Sequence, residues 1–169
     1  MNIMFEEVLE NDVFLIRELA LKVWPDTFKS ILSEQQIAYM MDMMYSVPAL
    51  QEQLKNNCRF LIIKKEDSAV GFVSFEIGYN QNPEVTKLHK IYILSEYQSK
   101  GLGKITINKV ATIAKENNCT ILALNVNRYN ANAIISYEKI GFTKTKVENI
   151  NIGNGYLMED YIMEKKLTN

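Results

Sequence analysis

The strongest constraint on the fold lies past mid-chain, where the β-rich run "KIYIL" (Lys90 to Leu94) leads into "YQSKGLGK" (Tyr97 to Lys104) and then into a helical pattern. Ile107, Val110, Ala111 and Ala114 stand at i, i+3, i+4 and i+7, so the spacing predicts an amphipathic helix over 103–117. Next comes "TILALNV" (Thr120 to Val126), a nearly continuous apolar strand of the kind buried in a sheet. Strand, glycine turn, helix and buried strand in succession point to a mixed sheet with helices packed on it.

The flanking segments agree with that frame. "NIMFEEVL" reads as a first strand, and Asn11 and Asp12 suit the N-cap of a helix "VFLIRELALKVW" that Pro25 is expected to end. A second helix is expected over 33–46 with Ser33 as its cap, and a third after Pro48. "CRFLIIKK" and "AVGFVSFEIGY" form a predicted hairpin, followed by a strand in "TKLHKIYIL". A helix carrying Ala133, Ile134, Tyr137 and Ile140 closes at Gly141. "FTKTKVENI" and "YLMEDYIMEKKL" then pair about the turn "NIGNG". At 169 residues the expectation is one α+β domain over residues 1–169.

Composition removes several function classes. A formal net charge of -1 without a basic stripe argues against a nucleic-acid partner. One histidine and two distant cysteines, Cys58 and Cys119, give no metal-ligand spacing, and the cysteines read as buried thiols. No apolar run approaches the ~20 residues that span a bilayer. The start "MNIMFEEVLEND" lacks a leader pattern, so a cytoplasmic location and no membrane partner are expected.

Two glycines and two lysines exceed what a strand-to-helix turn needs. Glycine lets the backbone approach a ligand closely and take positive φ. A helix starting at Gly103 exposes unpaired amides and a partial positive charge, for which anionic oxygens are the natural partner. Lys100 and Lys104 add to that field; a plain turn with solvated lysines is the alternative. Two familiar phosphate motifs fail. A P-loop needs glycine at 98 and Ser or Thr at 105, where Gln98 and Ile105 stand; a dinucleotide fingerprint needs a third glycine at 106, where Thr106 stands.

A second motif follows in "NVNRYNANAIISYEKIGF" (Asn125 to Phe142). Gln98, Gly101 and Gly103, followed by Asn130, Ala133, Tyr137, Gly141 and Phe142, resemble the GNAT superfamily of N-acetyltransferases. That family's pattern is Gln/Arg-x-x-Gly-x-Gly/Ala and, further on, Asn-x-x-Ala-x-x-x-Tyr-x-x-x-Gly-Phe. The resemblance implies a mostly antiparallel, seven-stranded splayed sheet flanked by helices in three layers, with acetyl-CoA as co-substrate and no metal. It implies that the pyrophosphate lies on Gln98, Ser99, Lys100, Gly101, Leu102, Gly103 and Lys104, and that the pantetheine arm pairs with the backbone of Ile91, Tyr92 and Ile93. Asn130, Ala133 and Tyr137 would also meet the coenzyme, and Lys139 would reach one of its phosphates.

The implied reaction passes acetyl from a thioester directly to a neutral amine. Tyr137 is the candidate acid for the leaving sulfur, although its place on the apolar stripe with Ala133 and Ile140 also suits a core residue. A backbone N–H at Tyr92 or Ile93 is the candidate oxyanion donor. The base stays open among His89, Glu76, Glu96 and ordered water.

"YMMDMMYSVPALQEQL" is similar to the corresponding helices of PaiA-type polyamine N-acetyltransferases, which implies a small-molecule amine acceptor. Trp24, Phe28 and Tyr39 line its groove or serve as buried anchors; Asp42 and Glu76 hold a cation or stay solvated. The alternatives are acetylation of a protein N-terminus or lysine, a coenzyme A-binding regulator without turnover, and a nucleotide-binding module. A homodimer is compatible with each.

Overall fold

The computed structural model describes residues 2–168. Its strands are β1 (Ile3–Glu7), β2 (Arg59–Lys65), β3 (Ser68–Ile77), β4 (Val85–Ile93), β5 (Ile121–Asn127), β6 (Thr143–Gly153) and β7 (Tyr156–Lys166). Its helices are α1 (Val13–Phe28), α2 (Glu34–Tyr45), α3 (Val47–Lys55), α4 (Leu102–Glu116) and α5 (Ala131–Ile140). The seven strands form one sheet in the order β1-β2-β3-β4-β5-β7-β6. β1–β2, β2–β3, β5–β7 and β6–β7 pair antiparallel, and β4–β5 pairs parallel. The mostly antiparallel α+β sheet is the one the sequence implied.

Internal contacts divide the chain into two compact units, Met1–Glu76 with Lys90–Asn108, and Ile77–His89 with Lys109–Asn169. In the first unit, α1 buries Val13, Ile16, Leu19, Ala20, Val23, Trp24 and Phe28. Contrary to expectation, Pro25 lies inside α1, and the Lys29 N–H closes on the Pro25 carbonyl at 3.0 Å. An interior proline costs about 3 kcal/mol. Keeping the last turn helical buries Phe28, a gain of about 1.5–3 kcal/mol that offsets most of it. The expected cap at Asp12 is not made by its side chain; a short 3-10 turn over Glu10–Asp12 leads into the helix instead. Ser33 does cap α2, its Oγ accepting from the Gln36 N–H at 3.1 Å. Ser46 does the same for α3 through the Ala49 N–H at 3.3 Å, with Pro48 in the first turn.

Gly71 on β3 has a steric reason that periodicity does not reveal. A Cβ there would lie 2.4 Å from the Tyr92 carbonyl oxygen of β4, so a side chain would push the strand away. Just beyond, the Leu94 N–H bonds the Val70 carbonyl at 2.9 Å. Ile63, Val70, Ile93 and Leu102 form a buried cluster, with Ile3, Phe5 and Tyr97 packed against it. Leu102 thereby anchors the glycine turn to the core.

In the second unit, β4 and β5 run parallel from Val85↔Ile121 to Leu88↔Leu124. β7 pairs with β5, and β6 and β7 close through Asn154 (φ 53°) and Gly155 (φ 77°), the backbone pattern an Asn-Gly hairpin turn prefers. Val110, Ala111 and Ala114 of α4 are buried, as their spacing required. Gly141 ends α5 at φ 104°, its N–H bonding the Glu138 and Tyr137 carbonyls. Cys58 and Cys119 are both free and buried.

Candidate active site

In the first unit, the turn after β4 is held from both sides. The Gln98 Nε2 donates to the Ile93 carbonyl at 2.8 Å, and the Lys100 Nζ donates to the Glu96 carbonyl at 2.7 Å while lying 5.4 Å from the centre of the Tyr97 ring. Ser99 (φ 59°) and Gly101 (φ 78°) take left-handed backbone, and α4 begins at Leu102. The amides of Leu102, Gly103 and Lys104 thus form a first helical turn, whose N–H groups have no acceptor within the helix. Gly103 has no positive φ, and a Cβ built on it meets no atom within 4 Å. Neither backbone conformation nor packing within the chain requires glycine there. A glycine there leaves room for close approach by a ligand, and a helix end favours an anionic one.

The inward face of β4 carries Lys90 and Tyr92 into an aromatic cluster. Trp24 lies 4.5 Å from Phe28, 5.6 Å from Tyr45 and 5.8 Å from Tyr92, between ring centres, and Phe72 lies 5.8 Å from Tyr92. The Trp24 Nε1 donates to the buried Tyr45 hydroxyl at 3.0 Å, and burial pushes that phenol well above its ordinary range. Trp24 and Phe28 are therefore buried anchors; Tyr39 is partly buried and Asp42 exposed. The Lys90 Nζ lies 5.6 Å from the Tyr45 ring centre and 5.5 Å from that of Phe60, and donates to the Gln53 Oε1 at 2.5 Å. Burial pulls its amine down to about 8, with the Cys58 thiol pulling the other way.

The second unit holds the other motif. The Asn130 Oδ1 caps α5 by accepting from the Ala133 N–H at 3.3 Å. Tyr137 packs edge-on to Phe142 at 5.7 Å, and burial pushes its phenol up to about 12. Ala133 and Tyr137 are partly buried, whereas Lys139 is exposed. His89 is exposed and meets the Tyr79 ring edge-on at 5.5 Å. A polar network sits nearby in the same unit. The Lys87 Nζ bonds the Asn125 Oδ1, while the Asn125 Nδ2 donates to Glu148 at 2.9 Å and Asp160 at 3.2 Å. Burial raises the Asp160 carboxyl above its ordinary value.

Sequence reasoning missed Lys90, Gln53 and this network. Alternation along β4 places Lys90 on one face with Leu88 and Tyr92, and an amine on such a face is the signal that could have found it. Gln53 lay in a segment read only as helix. Among the described residues, no group of three or more His, Cys, Asp or Glu side chains is arranged to hold a metal ion, and no helix is long and apolar enough to cross a membrane.

The chain is similar to known proteins along most of its length. The sequence profile of the acetyltransferase (GNAT) family matches residues 18–142. The spermidine N(1)-acetyltransferase of Thermoplasma acidophilum is 28% identical over 171 residues, covering 98% of each chain. An uncharacterized N-acetyltransferase of Methanocaldococcus jannaschii is 30% identical over 91 residues, 52% of this chain and 40% of that one, so the match spans under half of that relative. The crystal structure of the PaiA N-acetyltransferase of Thermoplasma acidophilum in complex with coenzyme A superposes with a TM-score of 0.79 at 27% identity, covering 98% of this chain and 99% of that one.

Proposed function

The chain belongs to the acetyltransferase (GNAT) family, and on that premise we propose that it transfers acetyl from acetyl-CoA directly to a primary amine of a small polyamine such as spermidine. The observation that carries the reading is the turn 98–104, where Gly103 leaves open space beside a helix end. Similarity along nearly the whole chain to a spermidine acetyltransferase supports the acceptor class.

The coenzyme supplies an acetyl group already activated as a thioester. The amides from Gln98 to Lys104 bind its pyrophosphate, with Lys100 and Lys139 adding positive charge. The backbone of Ile91, Tyr92 and Ile93 pairs with the pantetheine arm, and an N–H at Tyr92 or Ile93 stabilises negative charge on the carbonyl oxygen. Asn130 and Ala133 meet the coenzyme at the start of α5. Tyr137 serves the leaving sulfur. A phenol near 12 stays protonated beside a thiol of pKa roughly 8.5, so its role is to hold the departing thiolate with a hydrogen bond rather than surrender the proton outright.

Thiol release from acetyl-CoA, with mass detection of products, tests the reading across spermidine, spermine, free lysine and an N-terminal peptide. The expected result is acetylated polyamine formed faster than any acetylated peptide. Preference for the peptide would move the acceptor to protein, and coenzyme A binding without release for any amine would mark a regulator.

A further inference from the structure

Among the described residues, the Lys90 amine is held by a neutral amide and two aromatic rings, with no ion pair seen to it. The residue stands immediately before the strand residues 91–93, retains partial solvent access, and points its amine into the first unit's aromatic cluster. A lysine buried for structure alone is ordinarily held by a carboxylate. Here the contacts are the Gln53 Oε1 and the Tyr45 and Phe60 rings. The Gln53 amide is itself oriented, because its Nε2 donates to the Met44 carbonyl at 2.8 Å and so turns Oε1 toward Lys90. A base oriented by a neighbour that is itself held in place suits proton transfer.

Two titratable neighbours of Lys90 are held in their neutral forms by burial. From α2, Tyr45 is kept neutral by burial; ahead of β2, the Cys58 thiol is likewise pushed up. Glu76, at the end of β3, acts on Cys58, and from α1 the Arg17 guanidinium donates to the Tyr45 carbonyl at 3.0 Å. Tyr92 shares the face of Lys90 on β4. His89, the sequence's candidate base, lies one residue earlier and so on the opposite face.

We propose that Lys90 is the general base of the transfer, its neutral Nζ taking the proton that the attacking amine gives up. The amine nitrogen bonds the carbonyl carbon, the carbon–sulfur bond breaks with its electron pair leaving on sulfur, and the displaced proton moves to Nζ. Solvent then removes it and restores the neutral amine. The assignment rests on the acetyltransferase reading above.

Two measurements test it. The first is 13Cε NMR of lysine-labelled, coenzyme-free protein, with Lys90→Met identifying the resonance. Titration near pH 8 is expected, and a midpoint at the ordinary lysine value would overturn the assignment. The second is the pH profile of kcat/KM with spermidine. The wild type should rise to a plateau through about pH 8. Lys90→Met should lose that limb, with kcat down on the order of 100-fold or more and coenzyme A affinity by calorimetry unchanged. Lys90→Arg, which keeps the charge but cannot release its proton, should be equally slow. A Lys90→Met enzyme that kept the limb and its rate would overturn the proposal and leave the acetyltransferase standing, whereas a wild type that acetylates no amine would overturn both.

Discussion

Holding Lys90 charged at neutral pH works against the folded state. Its amine falls from 10.5 to about 8, which at about 1.4 kcal/mol per unit corresponds to roughly 3 kcal/mol. Between those values the unfolded chain binds more protons than the folded one, so stability rises as pH climbs from about 8 toward 10.5. Urea denaturation at pH 7 should therefore find Lys90→Met more stable than the wild type by about 2 kcal/mol, with the gap closing by pH 10. A less stable variant at pH 7 would contradict this. If Tyr137 holds the leaving sulfur as proposed, Tyr137→Phe removes a hydrogen bond of about 1.5–3 kcal/mol, so kcat should fall roughly 10- to 100-fold with coenzyme affinity kept. An unchanged rate would return Tyr137 to the core. Tyr137 and the turn glycines could be singled out in the sequence because their spacing is a local pattern. The surroundings of Lys90 could not, since Gln53 and Tyr45 arrive from helices distant in sequence.

At the level of elements, the two glycines flanking the β4 region should respond in opposite ways. Gly103 sits in the first turn of α4 with open space at its Cβ position, so Gly103→Ala should leave the melting temperature unchanged or raise it slightly. Coenzyme A affinity should nevertheless drop about 10-fold on the proposed binding mode, in which the added methyl takes the space of the pyrophosphate. Lost stability with intact affinity would mark a purely structural glycine. Gly71→Ala instead drives a Cβ against the Tyr92 carbonyl and should destabilise the protein by about 1–3 kcal/mol, measurable as a lowered denaturation midpoint. The Ser33 cap, the hairpin turn at "NIGNG" and the Gly141 stop were readable because each uses a few neighbouring residues, whereas the Ser46 cap of α3 was missed. Pro25 misled because the burial of Phe28, a tertiary effect, offsets most of the cost of a local helix breaker. Gly71 gave no signal, since its reason lies on another strand.

For the molecule as a whole, the α+β sheet was legible from the order of its patterns, whereas the division into two compact units was not, because it passes through the continuous elements β4 and α4. We propose that the two units nevertheless unfold as one domain. Trp24, the single tryptophan, reports on the first unit, so its fluorescence and far-UV circular dichroism should give coincident urea transitions; separated midpoints would establish two domains. The central claim is narrower: the turn 98–104 clasps the pyrophosphate of a coenzyme A thioester. Calorimetric titration of the wild type and Gly103→Ala with coenzyme A tests it most directly. Saturable binding at one site, weakened about 10-fold by the single methyl, is the predicted result. No heat of binding in the wild type, or equal affinity in both, would contradict it.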